Sequence, residues 1–399
     1  MITHRVPCDF VREELARIES LQQKRGLKRL QMSNACRVVF EGQELVNFSS
    51  NDYLGLSQDG RVQKAAKEAI DSADVSSASS RLICGNLDLH EQLEGELADF
   101  KGRESALVFS SGYMTNIGLL SALAREGDLI YSDELNHASI IDGCRLSRAK
   151  TLVFRHKDLN HLESLLRQAA ASSRKLIVSD SVFSMDGDLA DVAGLVELAR
   201  RHDALLMLDE AHATGVLGKR GRGAIEHFTD LGKLKEGRDT VEVEMGTLSK
   251  ALGSFGGFVA CDHRLRDFLI NKSRSFIFST ALPPASAGAA RASLNILRRE
   301  GGIRERLWEN TRVLKQKLHG CGFPTGLSET PIVPICFGAE ARALKVSTSL
   351  MKKGFFVPAI RPPTVPEGTS RLRLTVSALH SVAEIEELVQ ALVQVASAP

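Results

Sequence analysis

The sequence predicts an α/β protein, a mainly parallel sheet with helices on both faces, followed by a smaller α+β domain. Three observations carry this. Short apolar runs at 106–109, 129–131, 151–154, 176–179 and 205–208 alternate with segments of helical periodicity at 114–124, 138–146, 159–169 and 192–201. Polar and small residues follow each apolar run, as expected where the carboxyl ends of parallel strands form a ligand crevice. Past Leu282-Pro283-Pro284 the alternation stops. A long helical stretch, 285–318, precedes two more strand-like runs, 332–337 and 371–376, with helices at 341–352 and 382–395. These shifts divide the chain into an N-terminal segment 1–47, a large domain 48–284 and a small domain 285–399.

The elements read in order as follows. Val11, Leu15, Ile18 and Leu21 repeat at helical spacing, which predicts an amphipathic helix over 10–30 whose end is the basic cluster 24–29. A small hairpin at 38–40 and 45–48 turns at Glu41-Gly42. After the polar turn 49–56 a helix covers 62–72. The small, polar run Ser76-Ser77-Ala78-Ser79-Ser80 leads to Arg81. A second helix carries Leu89, Leu93, Leu97 and Phe100 and stops at Lys101-Gly102. Beyond the alternating region, a strand over 241–247 runs into Ser249-Lys250 and the glycines that follow.

A chain of 399 residues favours two domains over one, and 43% hydrophobic with 25% charged residues is the balance of a globular protein. The 51 basic and 49 acidic residues leave a net charge of +2, giving no reason to expect a nucleic acid or membrane surface as partner. No apolar run reaches membrane-spanning length, and the first residues lack the apolar core of a secretion signal. Seven scattered cysteines without a C-x-x-C pair predict reduced thiols in a cytoplasm and no metal site.

The polar residues after the strands carry the chemistry. Ser110-Ser111-Gly112-Tyr113 opens a helix, where free N–H groups and a glycine can cradle a phosphate; alone this signal is unspecific. His137, in Asn136-His137-Ala138-Ser139, is suited to stack on a planar ligand, to exchange protons or simply to cap a helix. The run 180–188 offers hydroxyls and carboxylates, but not at calcium-loop spacing. Asp209 leaves an apolar strand, where a carboxylate is costly unless paired, and a protonated pyridine nitrogen is such a partner. Asp209 with His212 also resembles a metal pair, without a third or fourth ligand. Lys250 sits between a strand end and glycines, where a desolvated amine becomes a nucleophile or base. A lone lysine is usually just solvated. The set as a whole is what pyridoxal 5′-phosphate requires.

These motifs, with Asn51-Asp52-Tyr53-Leu54-Gly55-Leu56, Val182-Phe183-Ser184-Met185-Asp186-Gly187-Asp188 and Gly221-Arg222-Gly223, resemble the α-oxoamine synthases, pyridoxal-phosphate enzymes of fold-type I. The resemblance implies a mainly parallel sheet of about seven strands with a smaller α+β C-terminal domain. It implies that Lys250 links to the cofactor, Asp209 pairs with its ring nitrogen, His212 with its hydroxyl, and that His137 stacks on it. Ser111, Gly112, Tyr113 and Thr247 would hold the phosphate with Thr280 of a second subunit, and Ser184 would line the site. Lys250, His137 and Asp209 are the catalytic set; Arg29, Asn51, Arg361 and Thr364 would meet substrates, with Arg361 on the amino-acid carboxylate.

The stretch from Ala359 to Arg373 resembles the branch of biotin formation that condenses L-alanine with a pimeloyl thioester of coenzyme A or acyl carrier protein. The resemblance further implies a cytoplasmic homodimer with sites at the subunit interface. The rival readings are a synthase using glycine and acetyl-CoA, and a nucleotide-binding protein without catalysis. Against the latter, the G-x-G at Gly221 does not join a strand to a helix. One departure from the family is the Ser76–Ser80 run, where a glycine-rich segment is usual; serine and alanine tolerate positive φ poorly.

Overall fold

The computed structural model describes residues 9–20, 23–34, 36–170, 173–235 and 241–396. The chain begins with α1 (Asp9–Ser20), β1 (Leu30–Asn34), β2 (Arg37–Phe40) and β3 (Gln43–Asn47), then α2 (Gly60–Ala73) and α3 (Asp88–Lys101). The alternating region is β4 (Ser105–Phe109), α4 (Gly112–Leu123), β5 (Leu129–Asp133), α5 (Ala138–Ser147), β6 (Lys150–Phe154), α6 (Leu159–Arg167), β7 (Lys175–Asp180), α7 (Val192–Arg201) and β8 (Ala204–Asp209). Next come α8 (Ala224–Asp230), β9 (Val243–Thr247), β10 (Gly257–Cys261), α9 (His263–Lys272), α10 (Arg274–Ile277), α11 (Pro284–Arg299) and α12 (Gly302–Gly320). The chain closes with β11 (Ile332–Gly338), α13 (Glu340–Lys352), β12 (Phe355–Phe356), β13 (Ala359–Ile360), β14 (Ser370–Thr375) and α14 (Val382–Ala396).

A seven-stranded sheet in the order β4-β10-β9-β8-β7-β5-β6 forms the centre. β9, β8, β7, β5 and β6 pair in parallel, while β10 runs against both of its neighbours. Because side chains alternate along a strand, each apolar strand feeds two cores. Ala106 and Val108 enter one, and Leu107 and Phe109 the other; Leu206 and Leu208 oppose Met207 in the same way. The strands' carboxyl ends therefore align at one edge, which carries the site.

The 241–247 run pairs from Val243 onward, and the apolar run after the glycines, not anticipated as a strand, is β10. Its register sets Gly257 against both Phe109 and Thr247, so the helix-opening turn after β4 and the lysine turn after β9 become neighbours. A Cβ on Gly257 would lie 2.7 Å from Gly112 Cα, so this approach requires glycine.

Two helix expectations are corrected. α1 ends at Ser20 instead of reaching residue 30; residues 23–29 are irregular, since like charges at Lys24, Arg25, Lys28 and Arg29 and the break at Gly26 oppose a helix, and Leu30 starts a strand paired to β2. Leu21 lies outside the described residues. The stretch 285–318 is two helices, parted at Glu300 and Gly301. The C-terminal core gathers α14, β11 and β14 with Val46 and Phe48 from the N-terminal region, and β12 pairs with β3 in a sheet ordered β1-β2-β3-β12. α11 lays Ala287, Ala290 and Leu294 into the large core.

The serine-rich run departs from ordinary backbone geometry where the sequence suggests. Ala78 has φ +49°, a left-handed conformation that costs a residue with a Cβ roughly 1 kcal/mol. The turn is held by Ser76 Oγ accepting from Ala78 N at 3.0 Å and by Ala281 N donating to Ser79 O at 3.0 Å. Ala78→Gly should therefore be neutral or stabilising by up to about 1 kcal/mol, the reverse of an alanine-to-glycine change inside a helix. Thermal unfolding measures this, and a clear loss of Tm would contradict it.

Candidate active site

Asp209 ends β8 and is buried. Its Oδ2 accepts from Asn116 Nδ2 at 2.7 Å and its Oδ1 from Ala211 N at 2.8 Å. Asn116 lies one turn after Gly112 on the same face of α4, so one helix presents the phosphate-cradle turn and the amide that holds the carboxylate. The same Nδ2 also donates to Ser139 Oγ at 2.8 Å, and Ser139 Oγ meets His137 Nδ1 at 2.7 Å. His137 Nδ1 also accepts from Ser139 N, so the network puts the ring proton on Nε2, and burial lowers the pKa of His137. The histidine is thus both the cap of α5 and a wall of the cavity.

Lys250 Nζ lies 2.7 Å from His212 Nε2, and His212 Nδ1 lies 2.6 Å from the Tyr53 hydroxyl. Burial pushes the tyrosine up to about 12 and the histidine well down, so the His212 ring, between Tyr53 and the amine, is neutral, with one nitrogen donating and the other accepting. Burial also lowers the Lys250 amine to about 8, against the opposing pull of Asp209 and Asp180. Asp180, beside Asp209, is raised well above the carboxylate range by burial and by that neighbour.

A cavity of about 890 Å³ brings together Lys250, His212, His137, Ser184, Asn51 and Thr364, all expected from the sequence, with Arg25 and Arg373, which were not assigned roles. Arg373 donates from Nη2 to Asn51 Oδ1 at 3.2 Å and from Nε to Ser184 O. Arg361 is not brought into this cavity. It lines an adjoining groove, also lined by Arg25 and Thr364, and donates to Lys24 O at 3.4 Å. Arg29 is exposed and lines neither space, whereas Arg25 donates to Thr364 Oγ1 at 2.9 Å. Thr280 is exposed, and its carbonyl accepts from Ser110 Oγ of the same chain at 2.8 Å.

These residues fit pyridoxal 5′-phosphate. Ser111 Oγ caps α4 by accepting from Met114 N, and the N–H groups of Gly112 and Tyr113 open the helix where no intrahelical carbonyl reaches them. A Cβ at Gly112 would stand 3.2 Å from Met245 Cε and 3.5 Å from Thr247 Oγ1, filling the cradle. The buried Asp209 suits a pyridinium, and the depressed amine of Lys250 suits an aldehyde. Among the described residues no group of His, Cys, Asp or Glu could hold a metal ion, and no helix is long and apolar enough to cross a membrane. Gly221–Gly223 leads into α8, whose first N–H groups, those of Ala224 and Ile225, donate to Glu210 Oε1 at 2.7 and 3.2 Å.

Residues 43–392 match the family model described as aminotransferase class I and II. The 8-amino-7-oxononanoate synthases of Lysinibacillus sphaericus and Geobacter sulfurreducens are each 46% identical to this chain, over 96% of both chains. Among solved structures, a serine palmitoyltransferase from Sphingomonas wittichii superposes with a TM-score of 0.91 at 31% identity, covering 98% of each chain. An 8-amino-7-oxononanoate synthase from Francisella tularensis does so with 0.75 at 28% identity, over 88% of this chain and 97% of that one.

The depressed amine is measurable in the protein stripped of cofactor. Labelling of Lys250 by a small acylating reagent should reach half its maximal rate near pH 8, while exposed lysines follow a midpoint near ~10.4. A midpoint for Lys250 at the ordinary value would mean that the amine is not desolvated.

Proposed function

The chain belongs to the class I and II aminotransferase family and, within it, to the 8-amino-7-oxononanoate synthases, and from that premise we propose that it condenses L-alanine with a pimeloyl thioester in biotin biosynthesis. The products are 8-amino-7-oxononanoate, carbon dioxide and the free thiol. The observation that carries this reading is one cavity holding Lys250, His212, His137 and Arg373 in a chain that matches these synthases over almost its whole length.

Pyridoxal 5′-phosphate is the cofactor and, when bound, supplies the electron sink that makes the amino acid's Cα–H acidic. Ser111, Gly112, Tyr113 and Thr247 would hold its phosphate and Asp209 its ring nitrogen, with His137 against the ring. Asn116 and the Ala211 N–H solvate the Asp209 carboxylate, which favours positive charge on the nitrogen facing it. Arg373 grips the alanine carboxylate through paired hydrogen bonds, which a guanidinium makes and an ammonium does not. Lys250 Nζ, positioned by its contact with His212, takes the Cα proton. Cα then bonds to the acyl carbon, the C–S bond breaks and the thiolate leaves. The alanine carboxyl departs as carbon dioxide, and a proton returns to Cα.

The groove beside Arg25, Thr364 and Arg361 takes the thioester side of the reaction. Two copies of the chain would pair, with the exposed Thr280 hydroxyl completing the partner's phosphate site.

Mass spectrometry of products from alanine or glycine with a panel of acyl thioesters tests the reading. The expected product is 8-amino-7-oxononanoate from alanine and the pimeloyl thioester; an aminoketone from glycine and acetyl-CoA as the main product would overturn it. Asp209→Asn should keep the cofactor but slow exchange of the alanine Cα proton about 100- to 1000-fold. Arg373→Lys should raise the alanine dissociation constant about 10- to 200-fold, the loss of a charge-assisted hydrogen bond of roughly 1.5–3 kcal/mol. Arg361→Lys should change it less than about fivefold. Titrating the bound cofactor's absorbance with L-alanine reads both; equal effects would remove the distinction between the two arginines.

A further inference from the structure

Outside the residues that meet substrate, one buried charged cluster ties two walls of the cavity together. His156, just after β6, places Nδ1 2.9 Å from Asp133 Oδ1 and Nε2 3.0 Å from Asp188 Oδ2. Asp133 ends β5, and its side chain also accepts from Leu135 N and Lys157 N, both at 2.9 Å. Asp188 closes the loop that carries Ser184 and Met185, and Lys157 Nζ reaches its Oδ2 at 3.0 Å. The Asp133 and Asp188 side chains are only 1% and 2% exposed.

Carboxylate oxygens only accept, so a ring bonded to one at each nitrogen must donate from both. That ring is an imidazolium. The groups facing it are Asp133, Asp188, the neighbouring Lys157 and the ring of Phe183, met edge-on at 4.3 Å; the Glu134 carboxylate takes the His156 backbone N–H at 2.8 Å. Two anions thus face two cations. Losing the ring proton would leave two buried carboxylates against Lys157 alone. The two aspartates accordingly raise the histidine to about 9, overcoming the burial that lowers it.

The clamp leads directly to an arginine in the cavity. The loop it anchors is closed by Phe183 N donating to Asp188 O at 3.1 Å and Gly187 N to Phe183 O at 2.8 Å. From that loop Ser184 O receives Arg373 Nε, and Asp186 pairs with Arg371. The opposite wall, Leu135 to His137, hangs from Asp133.

We propose that His156, held as an imidazolium between Asp133 and Asp188, is a positioning residue for the amino-acid substrate: it fixes the loop whose Ser184 carbonyl aims Arg373. This rests on the reading that Arg373 grips the substrate carboxylate. The substrate site is then coupled to the protonation of a side chain that never touches substrate. Alanine affinity falls as pH rises through the His156 midpoint near 9.

The test uses the enzyme with its cofactor bound. His156→Gln should weaken alanine binding on the order of 5- to 50-fold, with kcat at saturating alanine and the KM for the thioester nearly unchanged. The wild-type alanine affinity should fall by an extra step near pH 9 that the variant lacks, while changes from Lys250 and the substrate amine persist in both. Long-range nitrogen–proton NMR of wild-type protein should show both His156 ring nitrogens protonated at pH 7.5, an observation that does not depend on the variant folding. A neutral ring at that pH, or a folded variant with unaltered alanine affinity and the same pH profile, overturns the proposal. If Arg373→Lys leaves alanine binding unchanged, the parent reading has failed; if Arg373→Lys weakens it and His156→Gln does not, only the coupling has failed.

Discussion

A carboxyl group buried at the end of a central strand is the constraint on which the rest of the site depends. Removing Asp209 from water is costly, and Asn116 and the Ala211 N–H replace hydrogen bonds lost with its hydration. Asp180, at the matching position of the neighbouring strand, shows the alternative. It pairs in register with Asp209, and crowding by that charge raises its pKa. Asp180 serves the scaffold, its Oδ2 accepting from His137 N at 2.7 Å.

The same logic governs the next residue. Glu210 follows Asp209 and points to a different environment, where Lys101 bonds it from the end of α3 and Glu244 of β9 lies 3.6 Å from the same amine. Burial raises Glu244 to about 7 despite that lysine. Glu210 also receives two backbone N–H groups at the start of α8. One dipeptide therefore supplies the carboxyl group that we propose meets the cofactor and the anchor of the loop that carries His212. A G-x-G at Gly221 that invites a nucleotide-binding reading leads into the helix whose first N–H groups hold this anchor.

Much of this was legible in the sequence because it is local. Strand runs, the helix-opening turn at Ser111 and the lysine turn each declare themselves within about ten residues through periodicity and small residues. What was hidden depends on pairing across long separations. β10 is five residues after a glycine-rich turn, and its antiparallel direction arises only when it fits between β4 and β9. β1 is hidden for the same reason, since its partner β2, and not its own composition, makes it a strand. Asn116 and Tyr53 read as ordinary helix and turn residues until the fold brings them to Asp209 and His212.

Arg361 and Arg373 carry different signals in the sequence. Arg361 stands among prolines and lines the adjoining groove. The better signal was alternation in β14. Leu372 and Leu374 fill the C-terminal core, which forces Arg371 and Arg373 onto the opposite face of the strand. Both arginines are largely buried there, at 8% and 7% exposure, and buried guanidinium groups need fixed partners. They find them in the loop after β7, Arg371 at Asp186 and Arg373 at the Ser184 carbonyl. An arginine alternating with core leucines on a central strand is already half positioned by its sequence. The fold then sets Arg373 in one cavity with Lys250, whose amine is desolvated.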